Sequence, residues 1–201
     1  HAWIYGGARE LAGMLGGGDG VIPPTPVTWC EKQGVVTQEE AKDTDYYSDT
    51  VAGRWGSRGV PRELLPLGAD NLVVEAATCR SFKEAADVIA AYGVVAVASN
   101  QGFTMTRDKY GVCRPSGNWA HYMFFGSVHR LDDGRRVLGC AQSWGDNVPD
   151  GPTLPDCPDY VFGVEEKVAD AMLGLGESTA IYAFQGWGKP KIPWVFEPAP
   201  Q

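Results

Sequence analysis

The sequence lacks an uninterrupted apolar run of the about 18 residues that a membrane-spanning helix requires. It lacks any Cys-x-x-Cys pair, and its three histidines are His1, His121 and His129. Its five cysteines, Cys30, Cys79, Cys113, Cys140 and Cys157, are odd in number and widely spread. These absences argue against a disulfide framework, a zinc site or a histidine-rich metal centre, so no metal and no cofactor is expected. Unpaired cysteine behaves as a small hydrophobe, and mostly buried thiols are the expectation. No Gly-x-Ser-x-Gly occurs, which removes the nucleophile elbow of a serine hydrolase. Basic residues are also short, with 17 Lys and Arg against 25 Asp and Glu. The net charge of −8 and a pI near 4.8 disfavour nucleic acid and anionic membrane as partners. No signal peptide is visible.

What is present is a composition of 44% hydrophobic and 21% charged residues, with 26 Gly, 14 Pro, seven Trp and eight Tyr. A chain of 201 residues fits one domain with at most an arm, and needs no staple to hold its core. The Gly, Pro and aromatic content predicts a loop-rich fold with aromatic clusters under the loops.

The pattern predicts a helix over Trp3–Leu15, stopped by the glycine run Gly16–Gly20. Thr25 is placed to cap a short helix with Pro26 at its first position and Gly34 at its end. The polar stretch Thr37–Ser57 reads mainly as surface loop. Pro61–Leu67 reads as a helical turn, and Leu72–Ala76 as a strand. Ser81 and Glu84 form a capping box for a helix running to Ala91. Gly93–Ala98 has the small and β-branched content of a buried strand. Tyr122–Val128 and Arg136–Gln142 read as strands joined by the hairpin turn Asp132-Asp133-Gly134. A strand at Val161–Val164, a helix over Glu165–Leu173 and a strand over Ser178–Phe184 follow. The tail from Lys189 is Pro-rich and extended. Helices early and antiparallel strands late make an α+β pattern with two lobes. The expected division is a domain over 1–188 and an arm over 189–201.

Some polar clusters carry little. The run GGGDG lacks the Lys-Ser/Thr of a phosphate loop and reads as a turn. Asp43, Asp45 and Asp49 are spaced loosely like calcium ligands, but the glycine and glutamate of an EF-hand loop are missing. Trp187 and Trp194 flank the tail and suit either partner anchors or packing of the tail on its own domain.

Candidate chemistry centres on His121. It follows Gly117-Asn118-Trp119-Ala120 at the start of a strand. The hairpin returns a second strand ending in Gln142-Ser143-Trp144-Gly145. A thiol hydrolase needs a thiolate, an imidazole to take its proton, and a group that orients the imidazole. Antiparallel neighbours place Gln142 near His121, where an amide oxygen can accept the imidazole N–H and fix its tautomer. Trp144 would cover that hydrogen bond from water.

The segments "WAHYMFFGSV" and "AQSWG" resemble the histidine strand and the Asn-Ser-Trp-Gly turn of papain-like cysteine peptidases. "IYGGARE", "GGGDG", "WGSRGVP", "SNQGF", "RPSGNWAHYM" and "QSWGDNVPDGP" resemble a bacterial and bacteriophage branch of that fold. The resemblance runs from Ile4 to about Gly186. It implies a two-lobed papain-like fold, a helical N-terminal part and an antiparallel, barrel-like C-terminal part. It implies His121 as general base and Gln142 as its orienting amide, where papain has the shorter Asn. Trp144, Ser143, Trp119, Asn118 and Gln101 would support the site, with 99–103 lining a cleft. The substrate would be a peptide or protein.

No cysteine here has the family's setting. In papain relatives the nucleophile precedes the histidine by roughly 130–150 residues, which places it upstream of His1. Cys79 comes nearest to a helix N-terminus, but the capping box occupies that end. Three readings follow: a longer enzyme with an upstream thiol, a docking chain that supplies it, or an inactive papain fold kept as a structural part of a bacteriophage particle. The last would have other virion proteins as partners. A bacterial cytoplasmic or virion location fits either.

Overall fold

The computed structural model describes residues 1–37, 40, 48–91, 93–143 and 146–185. Among the described residues the fold is mixed α+β, with six α-helices and a six-stranded antiparallel sheet. It divides into two compact units, one built from residues 1–76 and 183–188 and one from residues 77–182. The anticipated arm over 189–201 lies outside the described residues.

The first unit is helical. Helix α1 spans Ala2–Leu11, α2 Thr25–Gln33, α3 Asp49–Arg58 and α4 Leu65–Gly68, with a 3-10 turn at Arg62–Leu64 before the last. α1 ends short of the glycine run expected to stop it. Gly13 takes a left-handed φ of 67° and Met14 N–H bonds the Arg9 carbonyl at 2.8 Å, a helix-ending motif one turn earlier. Thr25 sits inside α2 rather than capping it, and its hydroxyl donates back to the Ile22 carbonyl.

The expectation of a surface loop over Thr37–Ser57 is corrected by α3. Within a polar stretch, Val51 and Trp55 stand four apart and share a helix face. That face completes a core with Ala2, Trp3, Trp29 and Val60. Two glycines of α1 make the packing possible. A Cβ at Gly7 would lie 2.0 Å from the Trp29 ring, and one at Gly6 would lie 2.8 Å from Trp55 Cβ. The aspartates Asp43 and Asp45 lie outside the described residues, as do Trp187 and Trp194.

The sheet comprises β1 (Val73–Thr78), β2 (Val94–Arg107), β3 (Cys113–Arg130), β4 (Arg136–Ala141), β5 (Val161–Glu165) and β6 (Thr179–Phe184). Their order is β1-β6-β2-β3-β4-β5. Helices α5 (Phe82–Ala90) and α6 (Glu166–Leu173) share one core with Val95, Val97, Met123, Phe125, Leu138 and Cys140. Ser81 caps α5 as its sequence predicts, accepting from Glu84 N–H at 3.2 Å. Glu84 reaches back to Arg80 N–H at 2.7 Å, and Asp170 of α6 accepts from Phe82 N–H at 2.6 Å. A cap drawn from a second helix fixes how α5 and α6 meet.

β2 and β3 run well beyond the strands expected, and the segment 99–103, which the resemblance placed along a cleft, belongs to β2. The hairpin turn forms as expected, with Gly134 at φ 87° and its N–H on the Leu131 carbonyl at 2.9 Å. β3 carries an irregularity at Gly126, where its register on β4 slips between Phe125↔Cys140 and Ser127↔Gly139. The slip reverses which face the following side chains take.

Candidate functional site

Side chains alternate along a strand, so His121 shares a face with Met123 and Phe125. Both of those are buried in the core with α5 and α6. Ser99 of β2 pairs directly with His121. Phe124 pairs with Ala141, so the same register carried one residue further sets Gln142 opposite Met123. That extended register would put Gln142 on the His121 face, one diagonal step away. Such a step spans about 7–8 Å between backbones, within reach of long side chains.

Gln142 is 7% exposed, and its Nε2 donates to the Asn147 carbonyl at 3.2 Å. Its own N–H remains aligned with the Tyr160 carbonyl at 3.4 Å. With Nε2 engaged as donor, the amide presents Oε1 as its acceptor, the atom an imidazole N–H requires. The backbone is held on the β5 side and the side chain on the following loop. Ser143, the next residue, is exposed. Trp144 and Gly145 lie outside the described residues.

Gln101 and Asn118 pair across β2 and β3. They line one depression of about 290 Å³ with Ser99, Asn100, Gly117 and Met172. Gly102 allows the strands to close there, since a Cβ on it would meet the Ser116 carbonyl oxygen at 2.3 Å. Ser99 Oγ accepts from Gln101 N–H at 3.0 Å, and Gln101 Nε2 donates to the Gly102 carbonyl at 2.7 Å. Trp119 is half-buried and packs on the core of α5 and α6. The depression brings Gln101 and Asn118 together with Ser99, whereas His121 and Gln142 are not among its lining residues. Ser99 belongs to the 99–103 segment that the resemblance placed along a cleft, whereas Met172 was not singled out in the sequence. Met172 arrives from α6, distant in sequence, and no local signal pointed to it.

Burial disfavours the charged imidazole, so the His121 pKa is pushed below that of an ordinary histidine. A neutral imidazole is the form that accepts a proton. The thiols run the other way. Burial, helped by the nearby Glu31 charge, pushes Cys30 up to about 12. Burial also raises Cys79 to about 11 and Cys113 to about 12, and it pushes up the fully buried Cys140. None of these four has the electropositive, accessible setting of a reactive thiolate. Cys157 alone of the five is not buried, and it lies on the other face of the sheet.

Among the described residues no cluster of three His, Cys, Asp or Glu side chains could hold a metal ion. Nor is any helix there long and apolar enough to cross a membrane. No family model matches the chain, and neither does any curated protein or solved structure.

Proposed function

We propose that this chain is the base-bearing part of a papain-like thiol hydrolase acting on peptide bonds. The observation that supports the reading is the pairing of β3 with β4: the Phe124↔Ala141 register, carried one residue past β4, would put Gln142 on the face of a half-buried His121 whose charged form burial disfavours. In this reading His121 takes the thiol proton and Gln142 Oε1 holds the imidazole in the required tautomer. The thiolate attacks the carbonyl carbon, and His121 returns the proton to the leaving amine. Gln101, Asn118 and Ser99 would line the substrate path, and Trp144 would cover the His121–Gln142 bond. The thiolate comes from a segment or chain outside these 201 residues.

The test is active-site labelling of the protein expressed from its complete reading frame, with an epoxide or vinyl sulfone thiol-peptidase probe. Labelling at a cysteine outside the present five, abolished by His121→Ala and slowed by Gln142→Ala, is expected. Labelling indifferent to His121 sinks the reading.

A second reading has its own observation. Four of the five thiols are buried and the fifth lies on the opposite face from His121. The same fold without turnover would then serve as a structural or binding part of a bacteriophage particle. Absence of labelling, with the chain recovered in fixed copy number from purified particles, favours it.

A further inference from the structure

β3 carries two histidines an even number of residues apart, and in a regular strand both would face the same way. The slip at Gly126 separates them. Ser127 pairs with Gly139 and His129 with Val137, on the side of the sheet away from α5 and α6. That side holds a smaller core of Val112, Leu131, Val137, Ala141, Leu154 and Val161, with Cys157 packed at its margin.

Three polar side chains converge there. His129 Nε2 lies 2.8 Å from Ser127 Oγ and 3.6 Å from Cys157 Sγ. Ser127 Oγ and Cys157 Sγ are 3.6 Å apart. Gly139 leaves the room, since a Cβ on it would stand 2.1 Å from Ser127 Oγ. The Cys157 loop is tied to β2 by Arg107, whose guanidinium donates to the carbonyls of Gly151, at 3.0 Å, and Asp159. Asp156, next to Cys157, holds a left-handed φ of 58°. His129 opens onto a groove of about 420 Å³ lined also by Lys109, Tyr110, Arg130, Thr153 and Pro155.

The geometry points to Cys157 as a nucleophilic thiol, served by His129, that exchanges with a low-molecular-weight disulfide. This assignment is independent of the peptidase reading, which concerns the other face of the sheet. Burial keeps His129 below an ordinary histidine, and the Asp156 charge offsets that only in part. The imidazole is therefore neutral near pH 7 and able to accept a proton. The other charged groups about the groove are Lys109, Arg130 and Asp132.

In the exchange, the Cys157 S–H proton passes to His129 Nε2. The sulfur lone pair attacks one sulfur of the incoming disulfide, and the S–S bond breaks. The departing thiolate takes the bond pair and then the proton from His129. Cys157 sulfur is oxidised and the departing sulfur reduced, so one protein thiol and one disulfide give a mixed disulfide and one small thiol.

One observation favours this class over acyl transfer. An acyl intermediate needs donors for its oxyanion, and the nucleophile's own amide is the usual one. The Cys157 N–H is instead committed to the Leu154 carbonyl at 3.2 Å. Disulfide exchange builds no oxyanion. The remaining cysteines are buried, with Cys140 0% and Cys113 2% exposed, so no second thiol is placed to resolve the product. The mixed disulfide would persist until an external thiol removes it.

Stopped-flow reaction of the 201-residue chain, whose five cysteines are those named above, with dithiodipyridine tests this by the absorbance of released thiopyridone. One fast equivalent per chain is expected, and Cys157→Ser should abolish it. His129→Gln should slow that phase by about threefold or more at neutral pH, the gain in thiolate being partly offset by its weaker nucleophilicity. The difference should vanish at alkaline pH, where hydroxide does the deprotonating. Ser127→Ala, which removes the competitor for His129 Nε2, should react at least as fast as the parent. Glutathione disulfide should leave its adduct on the Cys157 peptide by mass spectrometry. A fast phase that survives Cys157→Ser overturns the assignment. So does a His129→Gln protein that matches the parent at neutral pH, or a Ser127→Ala protein slowed as much as His129→Gln.

Discussion

Arg9 in α1 is 1% exposed, and its guanidinium donates to four backbone carbonyls. Nε reaches Gly56 at 2.8 Å, Nη1 reaches Gly20 at 2.7 Å, and Nη2 reaches Met14 at 2.6 Å and Gly17 at 2.8 Å. Arg9→Met keeps the length and most of the volume and removes every donor. A hydrogen bond to a charged group contributes about 1.5–3 kcal/mol, so four bonds would sum to far more than the true loss. Gly17 and Gly20 lie in an exposed loop and can turn their carbonyls to water. Gly56 cannot: it is buried near the end of α3, and Val60 N–H, which would cap it, is given to Glu10 at 3.2 Å. Two strongly held bonds and one stranded carbonyl put the cost at about 3–5 kcal/mol. With a urea slope of about 2 kcal/mol per molar, the unfolding midpoint should fall by roughly 2 M. Tryptophan fluorescence reports it, because Trp3, Trp29 and Trp55 share the core of that unit. Arg9→Lys keeps the charge with a single donor head and should fall between the two. A midpoint for Arg9→Met within about 0.5 M of the parent would refute the reasoning, since at that slope the buried carbonyls would cost little to leave unpaired.

Gly7→Ala forces a methyl to within 2.0 Å of the buried Trp29 ring and should destabilise by about 1–3 kcal/mol in the same assay. A neutral result would mean that α1 and α2 can part freely. The His121 imidazole, followed by NMR, should titrate below an ordinary histidine because burial opposes its charge. Its contribution to stability is present above the unfolded pKa and is lost as pH falls through the lower folded one. A midpoint at or above the ordinary value contradicts the burial. Burial opposes ionisation of Asp108, but Arg135, at 2.7 Å, and the N–H groups of Val112 and Tyr110 outweigh it and hold the carboxyl below the usual range. Its stabilisation is present above the unfolded carboxylate pKa and is lost as pH falls through the lowered folded one. Asp108→Asn should therefore cost stability at pH 7 and flatten the acid side of the unfolding curve. A mutant curve parallel to the parent at every pH would count against that role.

The sequence alone carried a good part of the second unit. Local signals sufficed where a few neighbouring residues decide the backbone. Ser81 caps α5, Gly134 turns the hairpin, and β-branched residues build the start of β2. That the His121 strand pairs with the Gln142 strand was also legible, because one short hairpin joins them, but the slip at Gly126 shifts their register by one residue and was not. The same local reading failed at α3, where Val51 and Trp55 become a helix face only because Trp3 and Trp29 wait to receive them. It failed at the glycine run as well. GGGDG reads as a turn, but the carbonyls of Gly17 and Gly20 are turned onto Arg9 of the preceding helix, a contact that turn and helix propensities do not encode. That most of the thiols are buried was expected from the sequence, but tertiary structure alone decided what Cys157 meets. Cys157 reads as a loop residue in a Pro-rich segment, yet one slipped residue at Gly126 sends His129 to its side of the sheet and leaves His121 on the other. Composition and periodicity set which elements form. Register and long-range packing set which side chains meet, because a strand's two faces differ by a single residue.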